Sequence, residues 1–291
     1  MTGATGFVGS AVVQELIASG YEVTGLARSE SAANKLAAAG AAVHYGDLED
    51  ADSLRRGAAE ADGVIHAGFI HDFSRFQEVC EVDRAAIETI GAALAGTNKP
   101  FIVTSGIALV SPGRMATEDI IPPFNPAMPR ASEIAADKVA DMGVQASVIR
   151  LAPSVHGEGD VQGFVPLLVK LAREKGASAY IDGGENRWCA VNVKDAGVLY
   201  RLALEHATPK QRLHAIDESA ISFKAIAEMI AEQLNLPAVS IPSAAAGEHF
   251  GWFKGFAGID MPASSALTRD KFIWTPSHRS LFEDIKAGVY S

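Results

Sequence analysis

The chemistry open to this 291-residue chain rests on a glycine turn at its start, a hydroxyl at Ser105, a guanidinium at Arg130 and an imidazole at His156. In Thr2-Gly3-Ala4-Thr5-Gly6-Phe7-Val8-Gly9 a glycine falls at every third residue. That spacing fits a tight turn opening into a helix whose unpaired N–H groups receive a pyrophosphate. Gly3 would make the turn, Gly6 would let backbone approach the anion without a Cβ, and Gly9 would let the helix pack closely on a sheet. Thr5, Phe7 and Val8 complete the cradle. The chain holds 27 glycines, so the spacing needs support from the elements around it.

Downstream, those elements are legible. Val12, Val13, Leu16 and Ile17 give residues 10–19 helical spacing, Gly20 supplies a stop, and residues 21–27 read as a strand. Upstream, only Met1 and Thr2 stand where a buried strand of about five or six residues is expected. The first strand therefore reads as truncated, with a short apolar strand expected ahead of Met1 in the natural protein. An NAD-preferring domain usually ends its second strand in an acid that binds the ribose hydroxyls, whereas here Ala27-Arg28 favours the 2′-phosphate of NADP, with NAD the alternative.

A helix over 31–39 and a strand over 42–45 deliver Gly46-Asp47-Leu48, where Asp47 could accept from an adenine amino group or cap the helix over 51–59. The strand over 62–66 runs into Ala67-Gly68, small enough for a dinucleotide to lie against the strand end. His66 reads as a packed histidine, and His71 and Asp72 as lining a substrate entrance. A helix over 76–95 precedes the strand over 100–106, which ends in Thr104-Ser105 and puts Ser105 where it could contact substrate or nicotinamide, or cap a turn.

Strands and helices alternating at this rhythm predict an α/β, Rossmann-like, doubly wound parallel sheet with ligands at the carboxyl ends of its strands. Residues 1–155 form the predicted dinucleotide-binding domain and 156–291 mostly a small C-terminal α/β substrate lobe, with 189–216 returning to the first domain. A formal charge of −10 argues against a nucleic-acid or anionic-membrane surface. Cys80 and Cys189 lack disulfide-framework or metal-ligand spacing, so no metal is expected, and no run is long and apolar enough to span a bilayer. A cytoplasmic monomer or homodimer acting on a small molecule is the expectation.

TGATGFVG, Gly46-Asp47-Leu48, Thr104-Ser105 and Arg150-Leu151-Ala152-Pro153-Ser154-Val155-His156-Gly157 together resemble the extended short-chain dehydrogenase/reductases of the NAD-dependent epimerase/dehydratase group. Val191-Asn192-Val193-Lys194-Asp195-Ala196 and Lys271-Phe272-Ile273-Trp274-Thr275-Pro276 extend the resemblance over nearly the whole chain. It implies a nicotinamide cofactor, with Pro153 and Val155 beside it. It also implies a Tyr-x-x-x-Lys pair on the helix after the catalytic serine, the tyrosine exchanging a proton with the substrate. The pair is missing. Aligning Ser132-Glu133 with the family's Ser-Lys puts Pro129 at the tyrosine position and Glu133 at the lysine position; aligning Lys138 puts Ile134 at the tyrosine position. The chain is thus most similar to an atypical subgroup of these reductases that lacks the pair.

Three groups could take its place. Arg130 could polarise a carbonyl or bind a carboxylate; Glu133 could be an acid if burial raised its pKa; His156, after a strand over 150–155, titrates near neutrality. Beyond Gly157, Asn186, Arg187 and Trp188 could meet a polar ligand, Ser222 reads as the N-cap of a helix to Leu234, and the aromatics from His249 to Phe256 read as core or oligomer interface, with a lid as the alternative. The expected activity is NADP(H)-dependent hydride transfer to or from a carbonyl, imine or sugar carbon near Ser105, His156 and Arg130, the alternative being an inactive NADP(H) sensor.

Overall fold

The computed structural model describes residues 1–290 except Ala127. Helix α1 (Phe7–Ala18) leaves the glycine turn and is followed by β1 (Thr24–Ala27), α2 (Glu30–Ala38), β2 (Ala42–Tyr45), α3 (Ala51–Glu60), β3 (Val64–His66), α4 (Phe76–Leu94), β4 (Pro100–Gly106), α5 (Ser132–Asp141) and β5 (Gln145–Leu151). All pairings among these strands are parallel: β1 with β2, and β3 with β4 with β5. Met1 and Thr2 join the two groups. Leu26 N–H donates to Met1 O at 2.8 Å, and Thr2 N–H to Ile65 O at 3.0 Å, so these two residues occupy the slot between β1 and β3.

Strand β4 shows why the sheet is stable and how it presents chemistry. Phe101, Ile102 and Val103 have no exposed surface, and each such side chain contributes about 1.5–3 kcal/mol on burial. Alternation sends Phe101 and Val103 into the core beneath α3, α4 and α5, and Ile102 into the core shared with α1. The same alternation splits the strand's polar end. Thr104 Oγ1 meets Tyr200 Oη at 2.7 Å, while Ser105 Oγ meets Glu133 at 3.0 Å.

The expected strand over 150–155 is two strands. Strand β5 stops at Leu151, and Pro153, which has no N–H to give a ladder, turns the chain out of the sheet. Strand β6 (Ser154–His156) then starts a second sheet. The chain continues through α6 (Phe164–Lys175), β7 (Ser178–Ile181), β8 (Arg187–Asn192), α7 (Val193–His206), β9 (Arg212–Ala215), β10 (Glu218–Ser222), α8 (Phe223–Leu234) and β11 (Ala238–Ile241). Strand β9 pairs with β5 in the main sheet, β8 lies between β6 and β10, and β11 pairs with β7. Ser222 caps α8 by accepting from Ala225 N–H.

Part of the aromatic segment packs inward: Phe250 and Phe253 are buried with Trp188 and Phe223, and Phe253 meets half-buried Phe164 edge to face at 4.9 Å, while Trp252 is 57% exposed. Two distant sequence motifs also meet: Trp274 Nε1–H donates to Asp195 O, and the Asp195 carboxylate accepts from the N–H groups of Ser277 and His278. Among the described residues, no helix is long and apolar enough to cross a membrane.

Candidate active site

The glycine turn has the geometry of an anion cradle. Gly3 has φ +66°, a region costly for a residue with a Cβ, and a Cβ there would stand 2.5 Å from the backbone of Ala67. A Cβ on Gly9 would stand 1.9 Å from Gly3 O. Gly6 differs. It is exposed, and among the described residues the one neighbour a Cβ would meet within 4 Å is Gly3 O at 3.3 Å. Gly6 is the N-cap of α1 and no side chain caps that end, whereas α3, α7 and α8 are capped by Asp50, Asn192 and Ser222. The N–H groups of Phe7, Val8 and Gly9 at the start of α1 therefore have no side-chain cap, next to half-buried Thr5 and exposed Gly6. The cradle fits a dinucleotide phosphate.

The other residues predicted to line it lie at strand ends. Arg28 is exposed directly after β1, and Ser29 takes the capping role for α2. Asp47 does not cap α3; Asp50 does, leaving Asp47 Oδ1 to accept from Glu49 N–H beside half-buried Leu48. Ala67 and Gly68 pass against Gly3, and Pro153 and Val155 are half-buried at the break between β5 and β6.

Beyond Gly68 the chain reaches Phe69, and the Arg130 guanidinium stacks over that ring, 4.4 Å from its centroid. Arg130 Nε donates to Ser132 Oγ at 2.9 Å and Nη2 to Thr104 O at 3.2 Å, which ties the group to the end of β4 and the start of α5. His71 packs edge to face on Phe69, at 5.5 Å. Asp72 instead caps the turn at Ser74 and pairs with Arg75.

Ser105 is buried and turned inward, and its hydroxyl donates to Glu133 Oε1. Glu133 is also held by Arg150 Nε and Nη2 and by Arg212 Nε. Burial pushes the Glu133 carboxyl up, but the hydrogen bonds and charges of Arg150 and Arg212 outweigh it and hold the group below its usual range. The condition under which Glu133 could be an acid, a pKa raised by burial, is not met: it is an ion-paired carboxylate, and the Ser105 proton points at it.

His156 is on a different sheet from Ser105, which lies at the end of β4, and on a different element from Arg130, which precedes α5. It sits on β6 in the second sheet, 1% exposed, with Nδ1 2.6 Å from Asp284. Burial lowers its pKa and outweighs the opposing pull of Asp284. Asn186 donates to Ala257 O and Ile259 O, and Arg187 pairs with Asp260, so these side chains fasten the segment over 257–260. Trp188 is core.

The family model for the NAD dependent epimerase/dehydratase family matches residues 1–216, through β9. The chain belongs to the NAD-dependent epimerase/dehydratase family. It is an oxidoreductase-type enzyme of this nicotinamide-dependent group. Uncharacterized proteins of Schizosaccharomyces pombe (46% identical over 100% of this chain and 98% of the relative) and Saccharomyces cerevisiae (44% over 99% and 97%) are similar along their whole length. A Streptomyces venezuelae dTDP-glucose 4,6-dehydratase, crystallised with NAD, shares the fold at 17% identity, with TM-score 0.78 over 99% of this chain and 94% of that one.

Against this family background, Arg130 occupies the region where the tyrosine is missing, and its sequence-based candidacy to polarise a carbonyl or bind a carboxylate gains the partners Ser132, Thr104 O and Phe69. Asp83, Ser132 and Arg150 went unmarked as site-building residues. Each is a common polar residue whose partners lie on other elements, and no local spacing signals that.

Proposed function

We propose that this epimerase/dehydratase-family enzyme is an atypical NADP(H)-dependent oxidoreductase acting on a small carbonyl, imine or sugar-like substrate, with Arg130 in place of the family tyrosine. The observation that carries the reading is the Arg130 guanidinium, fixed by Ser132 and Thr104 O over Phe69, directly beyond the Ala67-Gly68 passage from the phosphate cradle. NADP is favoured over NAD by Arg28, exposed at the end of β1 where an acid would bind ribose hydroxyls. The cradle of Gly3, Thr5, Gly6, Phe7, Val8 and Gly9 would hold the phosphates, Asp47 and Leu48 the adenine, and Ala67, Gly68, Pro153 and Val155 the far end. When bound, the nicotinamide supplies the hydride donor or acceptor.

The chain's own residues then divide the remaining work. A guanidinium does not give up its proton near neutral pH, so Arg130 stabilises negative charge on the substrate oxygen, and the proton itself comes from solvent. Ser105 has committed its proton to Glu133 and offers only lone pairs, so it can accept from a substrate hydroxyl. His156 is set among carboxylates in the second sheet and orders the lobe that would cover the substrate. Residues 1–155 and the returning segment 189–216 form the cofactor domain in this reading, and the rest the substrate lobe, in a cytoplasmic monomer or homodimer.

A screen of carbonyl and imine compounds that follows NADPH oxidation tests the proposal. Turnover that falls in Arg130→Ala supports it; demonstrated NADPH binding without turnover across a broad panel contradicts it. The second reading, an NADP(H) sensor, draws on the lack of a titrating donor at Arg130, and predicts strong discrimination between NADPH and NADP⁺ together with a protein partner in pull-down.

A further inference from the structure

Five side chains form one unbroken hydrogen-bonded path from the phosphate cradle to Arg130. Gly68 N–H donates to Thr2 Oγ1 at 3.1 Å, Thr2 Oγ1 lies 2.9 Å from His66 Nδ1, and His66 Nε2 lies 3.2 Å from Asp83 Oδ1. On the other oxygen, Ser132 Oγ donates to Asp83 Oδ2 at 2.6 Å and itself accepts from Arg130 Nε. Thr2, His66, Asp83 and Ser132 are each at most 4% exposed.

Assigning protons so that every buried donor has an acceptor fixes the direction of both arms. Thr2 gives its proton to His66 Nδ1, His66 gives the Nε2 proton to Asp83, and Ser132 gives its own to the second oxygen. Both arms end on one carboxylate. Burial raises the Asp83 carboxyl, but the His66 hydrogen bond and the charge of Arg130 outweigh it and keep the group ionised below its usual range.

We propose that Asp83 is a positioning residue that couples cofactor binding to Arg130. Its charge balances the guanidinium through Ser132, and its other oxygen anchors the His66–Thr2 arm that holds Gly3 against Gly68. The inference rests on the reading of the glycine turn as a nucleotide site. Only a carboxylate accepts at both ends. In Asp83→Asn one end becomes a donor, so either the His66 arm or the Ser132 arm must reverse, and Arg130 loses its counter-charge.

The test combines NADPH titration by fluorescence with the side-chain Nε–H NMR signal of Arg130, assigned by its absence in Arg130→Lys. Thr2→Val should weaken NADPH binding by roughly tenfold and leave the Arg130 signal in place in the nucleotide-free protein. Ser132→Ala should move the Arg130 signal and leave NADPH affinity within about twofold, because it cuts only the distal arm. Asp83→Asn should do both, with the far-UV spectrum unchanged. An Asp83→Asn protein that binds NADPH as wild type does, or whose Arg130 signal is unmoved, overturns the coupling. Should that variant fail to fold, the other arms decide: saturating NADPH should move the Arg130 signal in wild type by at least twice as much as in Thr2→Val, and an undiminished shift overturns the proposal. A wild-type protein that binds neither NADPH nor NADH overturns the nucleotide reading as well, and is distinct from one that binds normally while Asp83→Asn behaves identically.

Discussion

Arg130, just ahead of α5, and Glu133, in its first turn, carry opposite charges and respond to opposite tests. Arg130→Ala should lower kcat/KM for a turned-over substrate by roughly a hundredfold, the usual loss when one fixed donor to a developing oxyanion is removed. Arg130→Lys should fall between, since a lysine keeps the charge but cannot reach Ser132 Oγ and Thr104 O with a planar fork. Glu133 is a matter of stability. It is shared by Arg150, which has no exposed surface, and by Arg212. Glu133→Gln leaves these guanidiniums undercompensated and should cost about 3–5 kcal/mol in urea unfolding. In the sequence, a strand end points to Ser105 and the missing tyrosine to Arg130 as candidates. The sequence leaves the charge of Glu133 open because the partners that set it, Arg150 and Arg212, come from strands 17 and 79 residues away.

At the scale of elements, the glycine turn separates folding from binding. Gly9→Ala drives a Cβ into Gly3 O and should disrupt the turn itself, lowering Tm and abolishing nucleotide binding. Gly6→Ala meets only one atom at 3.3 Å and should fold with a near-wild-type Tm, yet bind NADPH at least tenfold more weakly because the methyl occupies the phosphate's approach. Calorimetry and titration on the two variants check this pair. Helical and strand periodicity made these elements legible in the sequence, with α6 and the capped start of α8 placed closely. The break at Pro153 was less legible: the strand expected over 150–155 runs straight through it, and only the second sheet, built from β6, β8 and β10, reveals where the chain turns.

Over the whole molecule, two buried groups give opposing pH dependence. His214 accepts from Arg150 and donates to Ser264 O, and burial lowers its pKa to about 4. The unfolded chain then binds the extra proton between pH 6.5 and about 4, so stability present above 6.5 is lost as pH falls through that window. Burial raises Asp160 to about 6, so the folded chain binds the extra proton above 3.8 and stability is lost as pH rises towards 6. Each window spans roughly 3 kcal/mol at most, and they largely cancel. Unfolding free energies at about pH 4.5 and about pH 7 should therefore show Asp160→Asn gaining on wild type as pH rises, while His214→Gln gains as pH falls. The clamp between Asp195 and residues 277–278 belongs to this scale too: the sequence displayed both motifs, but only the folded chain brings them together.

Cofactor identity is the most direct test of the account as a whole. Titration of the purified protein with NADPH and NADH should show one site per chain, at least tenfold tighter for NADPH, with the preference lost in Arg28→Glu. Failure of the wild-type protein to bind either nucleotide, or binding unaffected by Gly6→Ala, would contradict it.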